Sequence, residues 1–312
     1  LESEGNNLKK SIYDDFQLNP VGLGTNAVGN PSYNPISEED SQHMIVKALE
    51  LGVNFFDTAY YYGFGHSEEV IGEVLKKSNA RNKVLLATKG AHRIEGSEIV
   101  VDNSPKFLEE EVYKSLKRLQ TEYIDLYYIH FPDENTPKYE AVGALQRLRE
   151  KGVIREIGVS NFTLEQLEEA NRDGYIDVVQ DEYNLLTREK EEKFIPYLRK
   201  HNIGFIPYFP LAAGLLTGKY TKDTVIPERR LKNPNFSTKY LENLRKIEAL
   251  KHLAKEKDCQ VYQLVLAWYL ETDFIDAIIP GAKNAHQIIE NQKTKEVTLS
   301  KKEFDEINAI FK

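Results

Sequence analysis

The sequence predicts a single (β/α)8 TIM barrel, α/β in class, with an extension before strand one and an additional helix at the C-terminus. Three observations predict it. Short runs rich in Val, Ile and aromatic residues alternate with longer stretches of helical period. These pairs recur every ~25 to 40 residues, the length of one βα unit. No Pro/Gly/Ser-rich linker separates one block from the next, which favours one closed barrel over an open sheet or two domains.

The strands are expected, in order, at Pro20 to Thr25, Asn54 to Thr58, Val84 to Lys89, Ile124 to His130, Ile154 to Ser160, Asp177 to Gln180, Gly204 to Tyr208 and Ala277 to Pro280. Ser37-Glu38-Glu39 and Ser67-Glu68-Glu69 each place a capping hydroxyl and acids at a helix start, and Gly52, Gly152 and Gly174 suit helix ends. The stretch from Leu211 to Asn235 carries Gly214, Gly218, Pro227 and Pro234 with several cations and reads as an extended loop after strand seven, of the kind that binds or covers ligands. Residues 1–7 read as a disordered start or an appended remnant, leaving 8–312 as one barrel domain.

Composition narrows the function. The 41 Lys and Arg against 49 Asp and Glu leave a net charge of −8, which argues against a general nucleic-acid binder. The apolar window from Val261 to Leu270 is half the length of a membrane span. One cysteine, Cys259, excludes an intrachain disulfide and fits a reducing, cytoplasmic setting. The seven histidines show no paired metal-ligand spacing, so no metal is expected.

In a closed barrel the chemistry sits at the C-terminal ends of the strands. Those ends carry Asp57 and Thr58, Lys89, His130, Ser160 and Asn161, and Gln180. Asp57 and Lys89 come from adjacent strands and should pair, because an unpaired charge there would be costly. Such a pair can be purely structural. It becomes chemical if a phenol joins it, since an adjacent ammonium stabilises the phenolate and lowers its pKa from ~10. Tyr62, in Ala59-Tyr60-Tyr61-Tyr62-Gly63, is within reach, but spacing barely separates it from Tyr60 and Tyr61. His130, before Phe131-Pro132, is either a buried structural histidine or part of the same mouth. Gly22-Leu23-Gly24-Thr25-Asn26-Ala27 fits the dinucleotide pattern G-x-G-x-x-A, but Pro31 and Pro35 argue against the helix which that mechanism needs.

These residues, with Gly52 to Ala59, Ser115-Leu116-Lys117-Arg118-Leu119, Tyr123 to Leu126 and Gly158 to Phe162, resemble the aldo-keto reductases, from about Gly22 to the final helix. Gly24 to Gly29 and Ile206 to Leu211 look most like the bacterial NADP-dependent reductases of bacilli, including one encoded with inositol-catabolic genes. The resemblance implies a catalytic tetrad of Asp57, Tyr62, Lys89 and His130 and NADP(H) as cofactor. Tyr62 would protonate the carbonyl oxygen, Lys89 held by Asp57 would tune it, and His130 would orient the carbonyl. It further implies that Ser160, Asn161 and Gln180 hold the nicotinamide carboxamide and Tyr208 stacks on the ring, with Gly24, Thr25, Asn26, Asp57, Phe209 and Pro210 beside it.

By the same resemblance Leu211, Ala212, Gly214 and Leu215 close over the pyrophosphate. Gly281, Ala282, Lys283, Gln287, Glu290 and Asn291 receive the adenosine 2′-phosphate end. Gly281 and Gln287 stand where the best-known eukaryotic members carry lysine and arginine, so NADP preference rests on Lys283. By position, Asn26, Tyr60, Tyr61, Phe64 and Phe131 line an aromatic pocket for a small carbonyl substrate. Two rival readings remain open here: a nucleotide-binding regulatory subunit like the potassium-channel β subunits, and a phosphate-binding isomerase or aldolase barrel.

Overall fold

The computed structural model describes residues 17–29 and 36–312. The expected start at 1–7 and the prolines Pro31 and Pro35 lie outside them. The strands are β1 (Leu23–Gly24), β2 (Phe55–Asp57), β3 (Leu85–Gly90), β4 (His92–Glu95), β5 (Glu98–Val101), β6 (Ile124–Ile129), β7 (Ile154–Ser160), β8 (Val178–Glu182) and β9 (Gly204–Tyr208). The helices are α1 (Glu38–Glu50), α2 (His66–Lys77), α3 (Pro105–Arg118), α4 (Lys138–Glu150), α5 (Leu164–Ala170), α6 (Phe194–His201), α7 (Glu228–Leu231), α8 (Tyr240–Glu256), α9 (Val261–Leu270), α10 (Ala285–Gln292) and α11 (Lys301–Ile310).

Seven of the strands form one parallel sheet in the order β1-β2-β3-β6-β7-β8-β9. The eighth predicted run is present only as bridges, Val21 with Ile278 and Gly24 with Gly281. Backbone bonds from Gly22 N to Ile278 O (2.8 Å) and from Asp276 N to Phe205 O (3.2 Å) tie this run to β1 on one side and β9 on the other, curling the sheet into the (β/α)8 arrangement. Pro280 has no N–H to give, which limits the ladder there. Gly24 also permits the close approach, since a Cβ on it would lie 2.7 Å from Ile279 O.

Alternation along the strands separates two cores. Phe55, Leu85, Ala87, Leu126, Tyr128, Val178, Ile206 and Ala277 fill the barrel interior. Phe56, Leu86, Tyr127, Ile129, Val159 and Val179 face the helices. The inward parity that buries Phe55 carries Asp57 to the mouth, and likewise Ala87 carries Lys89 and Tyr128 carries His130. Gly158 is required inside, because a Cβ there would meet the Tyr128 ring at 2.2 Å.

Two local expectations are corrected, and one element is added. Gly65, not Ser67, is the N-cap of α2, because the Ser67 hydroxyl is engaged by Thr58 and Thr25 behind the sheet. The stretch after β9 is partly ordered as a 3-10 segment (Ala212–Thr217) and α7. The antiparallel β4–β5 hairpin was not anticipated, although two short apolar-polar runs flanking Gly96-Ser97 carry its signal. The Ser37 cap, whose side chain accepts from Asp40 N, forms as expected. No helix opens at Gly22 to Ala27, where the chain passes from β1 into a turn. Among the described residues no helix is long and apolar enough to cross a membrane.

Candidate active site

The four candidate catalytic residues converge at the C-terminal mouth. Lys89 and Asp57 are fully enclosed, and Lys89 Nζ donates to Asp57 Oδ1 at 2.5 Å and to Thr58 O at 2.8 Å. Burial pushes the Lys89 ammonium below its usual range, and the Asp57 charge and hydrogen bond oppose that. The second Asp57 oxygen accepts from Gln180 Nε2 at 2.8 Å, so both carboxylate oxygens are satisfied.

The structure separates the three consecutive tyrosines. Lys89 Nζ lies 5.2 Å from the centre of the Tyr62 ring, and that ring meets His130 edge-on at 6.1 Å. Tyr61 instead packs on His92 at 4.6 Å, and Tyr60 lies beneath the Arg118 guanidinium at 4.9 Å. The turn that presents them is fixed by Tyr60 N to Lys89 O (3.0 Å), Gly65 N to Tyr60 O (2.7 Å) and Ser67 N to Tyr62 O (3.2 Å).

His130 is anchored by its backbone, with its N–H donating to Gly90 O at 3.0 Å and its carbonyl accepting from Asn161 Nδ2 at 3.0 Å. Burial holds its imidazole well below the usual histidine range, helped by the Lys89 charge, so it is neutral near pH 7. Its buried Nδ1 has no hydrogen-bond partner among the described residues. Asn161 adopts the left-handed region (φ 64°), bonds Ser160 Oγ at 3.0 Å and accepts from the Tyr208 hydroxyl at 2.7 Å.

A cleft of about 1200 Å³ runs from this cluster to the start of α10. Of the residues that the resemblance assigns to the cofactor, it brings together Gly24, Asn26, Asp57, Ser160, Asn161, Gln180, Tyr208 to Leu211, Gly214, Gly281 to Lys283, Gln287, Glu290 and Asn291. Thr25, Ala212 and Leu215 are not brought to it. The Thr25 hydroxyl turns back onto Asp57 O at 2.9 Å, and Ala212 and Leu215 are buried in the outer core. Asn26, Tyr61 and Phe131 line the mouth, whereas Tyr60 and Phe64 do not: Tyr60 is held by Arg118, and Phe64 packs edge-on against Tyr60 and Tyr61 from the solvent side.

At the far end, Lys283 N donates to Gln287 Oε1 (2.7 Å) and Gln287 N to Asn284 Oδ1 (2.9 Å), so these amides are already engaged. Sequence reasoning missed Lys219, which enters from the opposite lip after Gly218. Its ammonium is pushed below its usual range by burial and by the charges of Arg230 and Lys283, which places these cations around one space. His92 was also missed. Its ring packs at 5.2 Å from His130 and 5.4 Å from Phe131, and burial holds it at about 4.

The Aldo/keto reductase family model matches residues 20–312. The chain is 36% identical over 299 residues to aldo-keto reductase YhdN of Bacillus subtilis, covering 95% of this chain and 90% of that one. It is 33% identical to an NADH-specific methylglyoxal reductase of Escherichia coli, covering 92% of each. Among solved structures, the glycerol dehydrogenase AKR11B4 of Gluconobacter oxydans superposes with a TM-score of 0.85 at 33% identity, covering 94% of this chain and 91% of that one. The matched span contains Asp57, Lys89, His130 and Ser160, and the chain belongs to the aldo/keto reductase family.

Proposed function

We propose that the protein reversibly reduces small aldehydes or ketones to alcohols with NADPH, Tyr62 giving the proton. The observation that carries this reading is the enclosed Asp57–Lys89 pair with the Tyr62 ring over its ammonium and a neutral imidazole alongside. The residues present fit a nicotinamide dinucleotide. At Gly214 (φ 92°) and Gly281 the backbone faces open space, where a Cβ would meet nothing nearer than Lys219 Nζ at 3.6 Å and Gly24 O at 3.9 Å respectively. Ser160, Asn161 and Gln180 lie at the catalytic end as donors and acceptors for a carboxamide, with Tyr208 as the stacking surface. Lys283 and Lys219 supply positive charge at the other end, and this supports NADPH over NADH.

When bound, the dinucleotide would supply hydride to the carbonyl carbon. Neutral His130 donates a hydrogen bond to the carbonyl oxygen and fixes its direction. Charge builds on that oxygen as the carbonyl is reduced, and the Lys89 ammonium stabilises it through space. Tyr62 then transfers its phenolic proton, leaving a phenolate beside Lys89. Asp57 retains the ammonium form of Lys89 through the cycle, and in alcohol oxidation the same phenolate takes the proton back.

NADPH absorbance followed with an aromatic aldehyde and with methylglyoxal tests this, using the parent and Tyr62→Phe after both are shown to bind NADPH. Turnover lost in the variant with binding retained supports the reading. Tight binding by a parent that turns over no carbonyl in a broad panel overturns it in favour of a regulatory nucleotide-binding role. Lys283→Ala should weaken NADPH about tenfold and leave NADH unchanged; equal losses for both would remove the basis of the NADPH preference.

A further inference from the structure

Behind the tyrosine turn lies a largely buried ionic cluster that the proton-transfer chemistry does not use. Glu68, in the first turn of α2, is wholly buried. One of its carboxylate oxygens accepts from Thr88 Oγ1 at 2.6 Å, and the other from Arg118 Nε at 2.5 Å. Arg118, at the end of α3, also pairs with buried Glu111 and bonds Ser115 Oγ at 3.2 Å. Its guanidinium stacks over the Tyr60 ring, and the turn fits against it so closely that a Cβ on Gly65 would lie 2.5 Å from Arg118 Cδ.

The partners lie one and two residues from catalytic residues. Thr88 precedes Lys89 in β3, and strand alternation sends Thr88 out to Glu68 while Lys89 points into the mouth. Tyr60 is two residues before Tyr62, and its N–H is bonded to Lys89 O. Glu68 and Arg118 thereby fasten the strand carrying the ammonium and the turn carrying the phenol to one rigid body. An arginine fork held largely out of solvent between two buried carboxylates, with 16% of its side chain exposed, is unnecessary for packing alone, since an apolar cluster of similar volume is often as stable.

We propose that Arg118, acting through Glu68 and Thr88, is a positioning residue that sets the separation between Tyr62 and Lys89. This rests on the reductase reading, and it extends that reading to residues outside the cleft.

The test uses Arg118→Lys and Thr88→Val, neither of which changes the formal charge, alongside the parent and Tyr62→Phe. Tyrosinate absorbance, taken as the difference between each protein and its own Tyr62→Phe counterpart, reads the Tyr62 ionisation with or without turnover. The loosened pair should move that ionisation up by about one unit in both variants, because the ammonium withdraws from the phenol. With the carbonyl substrate, kcat should fall about ten- to a hundredfold, the alkaline limb of its pH profile should move the same way, and NADPH affinity should stay within about twofold. Folded variants with an unmoved Tyr62 ionisation overturn the proposal, even if their melting temperatures fall, since a purely structural cluster predicts that result. A parent without turnover whose variants still shift the tyrosine would overturn the reductase reading and leave the positioning role standing.

Discussion

Gln180 reaches across the barrel to Asp57, 123 residues away in sequence, with Nε2 donating to Oδ2 at 2.8 Å while Lys89 holds Oδ1 at 2.5 Å. One carboxylate therefore joins Lys89, proposed to tune the proton donor, to Gln180, proposed to hold the nicotinamide amide. On the proposed reading, cofactor binding and proton transfer would share this hydrogen bond, and a change at Gln180 should register in both.

Gln180→Leu removes that donor and leaves one oxygen of a buried carboxylate unpartnered, a loss of about 1 to 3 kcal/mol. NADPH affinity measured by fluorescence quenching and kcat measured at saturating cofactor should both fall. A variant impaired in affinity alone would show that the bond to Asp57 plays no part in the chemical step.

Asp57→Asn strips the charge that offsets the enclosed Lys89 ammonium. Breaking one partner of such a pair costs about 3 to 5 kcal/mol. The parent and the single variant should be separated by that much in urea unfolding, and Asp57→Asn/Lys89→Met should recover most of the loss while remaining inactive. A double variant as unstable as the single would mean that the site depends on packing and not on charge balance.

The barrel was legible in the sequence because its signal is repeated: seven of the eight expected runs are strands in the expected order. The strand ends were legible for the same reason, since parity that buries Phe55 and Ala87 also delivers Asp57 and Lys89 to the mouth. The choice among Tyr60, Tyr61 and Tyr62 was not. It depends on the Gly63 and Gly65 backbone (φ 69° and 100°) and on Arg118, which captures Tyr60 from another helix. Lys219 was invisible because its approach to Lys283 crosses the cleft between segments 64 residues apart by their numbering. The direction of the Thr25 side chain was not legible, because a strand-end hydroxyl gives no sign of whether it faces the cleft or, as here, Ser67.

Gly158→Ala should be disproportionately costly for one added methyl group. The Cβ would sit 2.2 Å from the Tyr128 ring, which is fully buried and cannot swing into solvent. Overpacking of this kind costs about 1 to 3 kcal/mol, so thermal unfolding should fall by several degrees. Gly158→Ala combined with Tyr128→Phe should do no better, because the clash is with ring carbons and not the hydroxyl. Recovery in that pair would place the strain elsewhere.

His92 gives the fold an acid-sensitive element that does not depend on any carboxylate. Burial lowers its pKa from 6.5 to about 4, with Tyr61, His130 and Phe131 packed around the ring. Between those two values the unfolded chain binds a proton that the folded chain refuses, so stability rises with pH across the window and is lost as pH falls from 6.5 toward 4. The full loss is on the order of 3 kcal/mol. Chemical denaturation from pH 7 to pH 5 reads this contribution together with that of His130, which burial also holds well below the usual histidine range, before the carboxylates with ordinary values take up protons. The parent should lose stability over that interval, and His92→Phe, which keeps the ring contacts and removes the titrating nitrogens, should lose measurably less. Equal slopes for the two proteins would mean that the imidazole accepts its proton inside the fold without cost, and that the contacts to His130 rearrange to admit it.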